Sequence, residues 1–231
     1  MKRNFGLYGV LILLLQAVIA CGPAQQSTND APKPANDEKA EVAADNLVVA
    51  FGDSLYAGYK LSPKEGFAPQ LQAALQAQGL SVRVHNAGVS GDTSAAGRTR
   101  LNFVLDNLQR KPDLVVLGLG GNDMLRGIKP TETRANLAAM LDELKRRGIP
   151  VILTGILASP NMGQDYANAF NPIFPALAMH YGAPLYPFFL KGVVADKALM
   201  LDDDIHPNAK GVAVIVRGVE PIVAAALAAK K

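Results

Sequence analysis

The chain has 231 residues, of which 49% are hydrophobic and 19% charged, ordinary globular usage that excludes a wholly disordered protein. The net charge of +3 falls to +1 once Lys2 and Arg3 are set aside, and no clustered basic face points to nucleic acid; the Lys145–Arg146–Arg147 run reads as a helix end. Cys21 is the only cysteine, which excludes an internal disulfide and a cysteine-built metal site.

Lys2 and Arg3 open the chain, Phe5 to Ala20 is mostly apolar, and Val18-Ile19-Ala20 runs into Cys21. A basic start, a short apolar stretch and a small residue before a cut make up a secretory signal. The apolar run falls short of the roughly 20 residues a stable membrane span needs. Val18-Ile19-Ala20-Cys21 resembles a bacterial lipobox, in which the cysteine is lipidated and begins the mature protein. That resemblance implies a lipoprotein signal peptide over residues 1–20 and a lipid anchor on Cys21. It also implies a periplasm-facing place in the cell envelope, the outer membrane rather than the inner because Gly22 follows. Residues 22–45 carry almost no bulky apolar side chain. Such a segment cannot offset its ordering entropy, so 21–45 is expected to be a flexible tether.

The folded domain is expected over residues 46–231. Leu47–Phe51 is a continuous apolar run, as for a buried parallel strand. Pro69–Gln78 has helical spacing and ends at Gly79, and Leu80–His85 reads as a second strand. Ala95–Leu108 is helical, Leu114–Leu119 is a third strand, and Thr131–Arg147 is an amphipathic helix between Pro130 and Gly148. Val151–Ile156 is strand four, Tyr166–Tyr181 a helix despite Pro172 and Pro175, and Leu185–Phe189 a weak fifth strand. Pro207–Ala229 is the last helix, with Pro221 as a kink or boundary. This alternation predicts an α/β sandwich on a parallel sheet, with ligands bound beyond the carboxyl ends of the strands.

Four polar or small-residue segments carry the chemistry. Gly52-Asp53-Ser54-Leu55 follows strand one, and Asn86-Ala87-Gly88-Val89-Ser90-Gly91-Asp92-Thr93 follows strand two. Gly120-Gly121-Asn122-Asp123 follows strand three, and Asp202-Asp203-Asp204-Ile205-His206-Pro207-Asn208 lies near the C-terminus. A serine hydroxyl needs a base to take its proton, and histidine suits neutral pH. His85 falls in a strand and His180 in a helix. His206 alone sits in a loop with a carboxylate three residues before it, a spacing that lets Asp203 reach one ring nitrogen while the other faces Ser54. On the residues alone, Asp202 and Asp204 compete for that role. No Gly-x-Ser-x-Gly elbow, no phosphate-binding loop and no metal-spaced histidine cluster occurs, so neither cofactor nor metal is expected.

In this order, the four segments resemble the signature blocks of the GDSL (SGNH) hydrolases, closest to the bacterial thioesterase, lysophospholipase and arylesterase branch. That resemblance implies a three-layer α/β/α sandwich with a flavodoxin-like, five-stranded parallel sheet. It implies Ser54 as nucleophile, His206 as base and, through the pattern Asp-x-x-His, Asp203 as the orienting acid. The oxyanion donors implied are the Ser54 N–H, the Gly91 N–H and the Asn122 side chain, while Asp53, Asp92 and Asp123 are left to structural hydrogen bonds. The implied substrates are acyl esters, aryl esters, lysophospholipids or acyl thioesters. Carbohydrate or peptidoglycan O-deacetylation and a non-catalytic binding module are the alternatives. After Asn122, the loop through Lys129 offers Met124, Leu125 and Ile128 as acyl-groove or packing residues. Oligomeric state is left open.

Overall fold

The computed structural model describes residues 44–229. The signal segment, the Cys21 anchor and nearly all of the tether lie outside the described residues. Five parallel strands form one sheet: β1 (Asn46–Gly52), β2 (Val82–Gly88), β3 (Leu114–Gly118), β4 (Val151–Thr154) and β5 (Leu185–Tyr186). Their spatial order is β2-β1-β3-β4-β5, the flavodoxin-like order that places a topological switch point between β1 and β3. Val48 to Phe51 and Val115 to Leu117 are fully buried, because helices cover both faces of the sheet.

The helices are α1 (Ser54–Ala57), α2 (Phe67–Ala77), α3 (Ser94–Asp106), α4 (Gly121–Leu125), α5 (Pro130–Arg146), α6 (Gln164–Phe170), α7 (Ile173–Tyr181) and α8 (Ala209–Ala228). Right-handed crossovers fix the layers. The chain moves one way across the sheet from β1 to β2 and the other way afterwards, so α2 lies on one face while α3, α5 and α7 lie on the other. In agreement, α8 packs on α2, and α5 packs against both α3 and α7. Helix α5 starts at a proline, carries Glu132 in its first turn and ends on Lys145 and Arg146, as the helix dipole favours. Helix α8 buries Val212, Ile215, Val216, Val219, Val223 and Leu227 on one stripe.

Relative to the sequence expectation, strand five stops at Tyr186 rather than Phe189, strand two is shifted to Val82–Gly88, α1 is additional, and three further elements differ more. The single helix expected over Tyr166–Tyr181 is two, α6 and α7, with Asn171 and Pro172 between them. Pro172 and Pro175 lack the N–H that a continuous helix would bond to residues 168 and 171. By contrast, α8 runs through Pro221 rather than ending there. Its buried stripe holds the helix together on both sides of the lost donor. The segment after β3, expected as a loop from Asn122, begins instead as the short helix α4, entered through Gly120 at φ 114.

Candidate active site

The carboxyl ends of β1, β2 and β3 meet in register, with Gly52 paired to Gly88 on one side and to Gly118 on the other. The row of three glycines leaves a socket that the Tyr56 ring fills. A β-carbon at Gly52 or Gly118 would strike that ring, and one at Gly88 would strike the Tyr56–Ala57 backbone. Tyr56 is buried, and its hydroxyl is hydrogen-bonded to Thr154 Oγ1 at 2.6 Å. Tyr56 belongs to α1, whose first residue is Ser54. The socket therefore seats the helical turn that presents the Ser54 hydroxyl.

Asp53 caps that turn, its Oδ1 accepting the Leu55 N–H at 3.0 Å. Ser54 supplies the first amide of α1, a group a helix leaves without an intrahelical partner. Burial pushes the Asp53 carboxyl up to about 7, aided by the negative charges of Asp92 and Asp123 and opposed by the Leu55 N–H. Asp92 is paired with the Arg100 guanidinium at 2.5 Å, and Arg100 also donates to the Gly52 carbonyl at 2.9 Å while lying over the Phe51 ring. Asp123 is fully buried. It accepts the Ser94 N–H at 2.7 Å, the Ser94 hydroxyl, and the Thr133 hydroxyl at 3.0 Å. The three block aspartates thus hold backbone in place.

Across the cleft, His206 Nε2 lies 2.8 Å from Ser54 Oγ, and His206 Nδ1 lies 2.8 Å from Asp203 Oδ2. The other Asp203 oxygen accepts the backbone N–H groups of Ile205 at 3.0 Å and His206 at 2.9 Å. Burial pushes the Asp203 carboxyl up, but those N–H groups and the imidazole outweigh it and hold the carboxyl at about 2. An ionised Asp203 makes Nδ1 the protonated nitrogen, leaving Nε2 to accept from the serine. Asp202 and Asp204, the sequence competitors, are exposed; Asp204 adopts φ 53 and turns the chain toward His206. Tyr59, at the end of the α1 turn, packs on the imidazole with ring centroids 4.4 Å apart. His85 and His180 lie in β2 and α7, as the sequence suggested.

Ser54, Gly91, Asn122 and His206 line one cleft of about 600 Å³. Gly91 has φ +85, a conformation that strains any residue with a side chain. Asn122 Nδ2 donates to the Asp92 carbonyl at 3.0 Å, which fixes the amide and leaves its second hydrogen for the cleft. The remaining wall is mostly apolar, with Met124 and Leu125 from α4, Ile156 and Leu157 after β4, Phe188 and Leu190 after β5, then Val194 and Ile205, while Ser90, Ser159 and Asp204 add polar edges. Of the three groove candidates read from the sequence, Ile128 is not part of this wall; its carbonyl accepts the Tyr166 hydroxyl at 2.9 Å. Ile156, Phe188 and Val194 carry no sequence signal for this wall, because they follow β4 and β5 and reach the cleft only through the fold. Among the described residues, no group of three or more metal-type side chains is placed to hold an ion.

Residues 50–214 match the model of the GDSL-like lipase/acylhydrolase family. The chain belongs to that family. As a GDSL-like acylhydrolase it is 42% identical over 167 residues to esterase TesA of Pseudomonas aeruginosa, covering 72% of this chain and 82% of that one. It is 40% identical over 166 residues to a thioesterase, protease and lysophospholipase of Escherichia coli, covering 72% of this chain and 77% of that one. Among solved structures, the esterase AlinE4 of the SGNH-hydrolase family is 48% identical with a TM-score of 0.68, covering 79% of this chain and 96% of that one. The α/β/α fold and five-stranded parallel sheet of this acylhydrolase are those the sequence resemblance implied.

Proposed function

We propose that the protein is a serine esterase that hydrolyses acyl esters through an acyl-enzyme on Ser54. The observation that carries this reading is the chain Asp203–His206–Ser54, with both links at 2.8 Å, opening into an apolar cleft. His206 Nε2 takes the hydroxyl proton as Ser54 Oγ bonds the ester carbonyl carbon, and Asp203 holds the tautomer and stabilises the imidazolium. The oxyanion is met by the Ser54 N–H, the Gly91 N–H and the Asn122 amide. Collapse of that intermediate expels the alcohol, which takes its proton from His206. Water activated by the same imidazole then releases the acid and frees Ser54.

Substrates of this reading are aryl esters and lysophospholipids, with acyl thioesters as a further class. The names of the relatives, esterase and thioesterase/lysophospholipase, support the range. The breadth of the apolar wall favours acyl chains over acetate alone, and so favours an acyl esterase over a carbohydrate or peptidoglycan O-deacetylase. A p-nitrophenyl ester series from two to twelve carbons tests this. A rise in kcat/KM beyond acetate is expected, since each buried methylene is worth about 0.8 kcal/mol until the cleft fills. Strict acetate preference would transfer the assignment to O-deacetylation. Failure of a fluorophosphonate to label Ser54 would leave a binding module.

The anchored placement belongs to the same proposal. A sole cysteine directly behind Val18-Ile19-Ala20 supports a lipid on Cys21 and an envelope location facing the periplasm. Cys21→Ser is expected to move the protein from the membrane fraction to the soluble one with esterase activity retained; unchanged fractionation overturns the anchor.

A further inference from the structure

Arg126 belongs neither to the triad nor to the oxyanion donors, yet it ties together two segments that carry the donors. It caps the carboxyl end of α4, where its backbone N–H bonds the Asn122 carbonyl at 3.1 Å. Its guanidinium Nη2 donates to the Gly91 carbonyl at 2.8 Å. The side chain is otherwise exposed, so packing does not explain its position. Gly91 is the third residue of the turn Val89–Asp92, which is closed by the Asp92 N–H on the Val89 carbonyl at 3.2 Å. A positive φ of 85° at that position is the type II arrangement. The central peptide of that turn carries the Gly91 N–H. The common alternative turn, type I, flips this peptide and reverses the direction of its N–H. The Gly91 carbonyl that Arg126 holds belongs to the next peptide, Gly91–Asp92, so the contact fixes where the Gly91 end of the turn sits rather than which way the central peptide faces.

We infer that Arg126 is a positioning residue of the oxyanion hole, tying the Gly91 end of the turn to α4 and so setting where the Gly91 N–H stands relative to Asn122 and the reacting ester. This clamp sets Gly91 and Asn122 in fixed relation, since both are bonded to the same residue. The inference rests on the proposed donor roles of Gly91 and Asn122.

The test compares Arg126→Ala, Arg126→Lys and Asn122→Ala with the wild-type protein on p-nitrophenyl hexanoate and acetate, with Tm measured for each. Arg126→Ala is expected to lower kcat on both esters by roughly tenfold to a hundredfold, the range of a hydrogen bond from a charged donor. KM and Tm should stay close to wild type, and Arg126→Lys, which keeps charge and a donor, should recover much of the lost rate. A kcat within twofold of wild type in Arg126→Ala, while Asn122→Ala is crippled, overturns the clamp and leaves the oxyanion assignment standing. A rise in KM confined to hexanoate, with kcat unchanged, also overturns it and makes Arg126 part of the groove wall. If Asn122→Ala itself retains full kcat, the oxyanion assignment falls first and the clamp with it.

Discussion

The two halves of the site are held in different ways. Ser54 stands at the end of a fully buried strand, on a turn capped by Asp53 and seated by Tyr56 against three neighbouring strands. His206 lies in the connection between a short 3-10 turn at Lys197–Leu199 and α8, flanked by exposed Asp202, Asp204 and Ile205. That connection is kept in shape by bonds among its own neighbours. Asp203 accepts two successive N–H groups, the Leu201 N–H meets the His206 carbonyl at 2.8 Å, and Asn208 Nδ2 bonds the carbonyls of Ala198 and Met200. Tertiary packing places the proposed nucleophile, whereas local hydrogen bonding places its proposed base. The Asp203–His206 pair can be read from spacing, whereas Ser54 is marked in the sequence only by the small and polar block that ends its strand.

The largest expected effect removes one member from either half. Ser54→Ala and His206→Ala should each lower kcat by on the order of 10⁶, the loss seen when a member of a serine triad is deleted. Circular dichroism should show an intact fold, because neither residue is a core side chain. Comparable losses from the two would show that the loop-held base is as well placed as the strand-held nucleophile.

Asp203→Asn comes next. It should cost on the order of 10⁴ in kcat, the magnitude known for the corresponding change in a serine protease triad. Asp202→Asn and Asp204→Asn should be mild by the same rate assay. A larger loss at either neighbour would mean that the loop adopts a different arrangement in the working enzyme. Since Asp203 is held at about 2, its ionisation persists through the acid range of ordinary assays. Its contribution to stability is present above the ordinary aspartate value near 3.8 and is lost only as pH falls toward 2, so acid unfolding of Asp203→Asn should be less steep there.

Asn122→Ala should lower kcat by roughly 10²–10³ with little change in KM, because its bond to the oxyanion strengthens only in the transition state. Steady-state kinetics on a single short ester checks this. A change confined to KM would instead place Asn122 in substrate binding.

The smallest effect belongs to Asp53 and is one of stability. Its carboxyl is raised to about 7 in the fold. Below the ordinary value near 3.8 both states hold the proton, and the group is neutral to stability. Between there and 7 the unfolded chain releases a proton that the folded one keeps, so stability falls as pH rises. Asp53→Asn retains an acceptor for the Leu55 N–H without the charge. Its Tm, compared with wild type, should gain several degrees at pH 8 and little at pH 4; an equal difference at both pH values would contradict the raised carboxyl.

The alternation of strands and helices was legible because both faces of the sheet are covered, which forces the apolar runs at Val48–Phe51 and Val115–Leu117. Four blocks at the strand ends and the late loop were legible for a related reason: small and polar residues interrupt those runs where the cleft opens. The Asp203–His206 pair was visible as a three-residue spacing. Other features left no local signature. Breaking α6 from α7 depended on which of several prolines a buried stripe could override, and Pro221 went the other way. The cleft wall from Ile156, Phe188 and Val194 depended on three-dimensional neighbourhood, as did the Tyr59 ring on His206. In the sequence Gly52 follows the first strand, Gly88 stands three residues beyond the second and Gly118 falls inside the third, so their alignment in one row is not visible there, because register between strands is a property of the assembled sheet.

That row sets how the gene can vary. In a saturation scan selected for esterase activity, Gly52, Gly88 and Gly118 should be as intolerant as the triad, and even alanine should be rejected. Phe103 and Met179, large apolar residues left exposed on the outer helices, should accept almost anything. The invariant positions of such a scan would then mark two kinds of constraint. One set is the proposed triad; the other lies outside the cleft wall and only leaves room for a tyrosine.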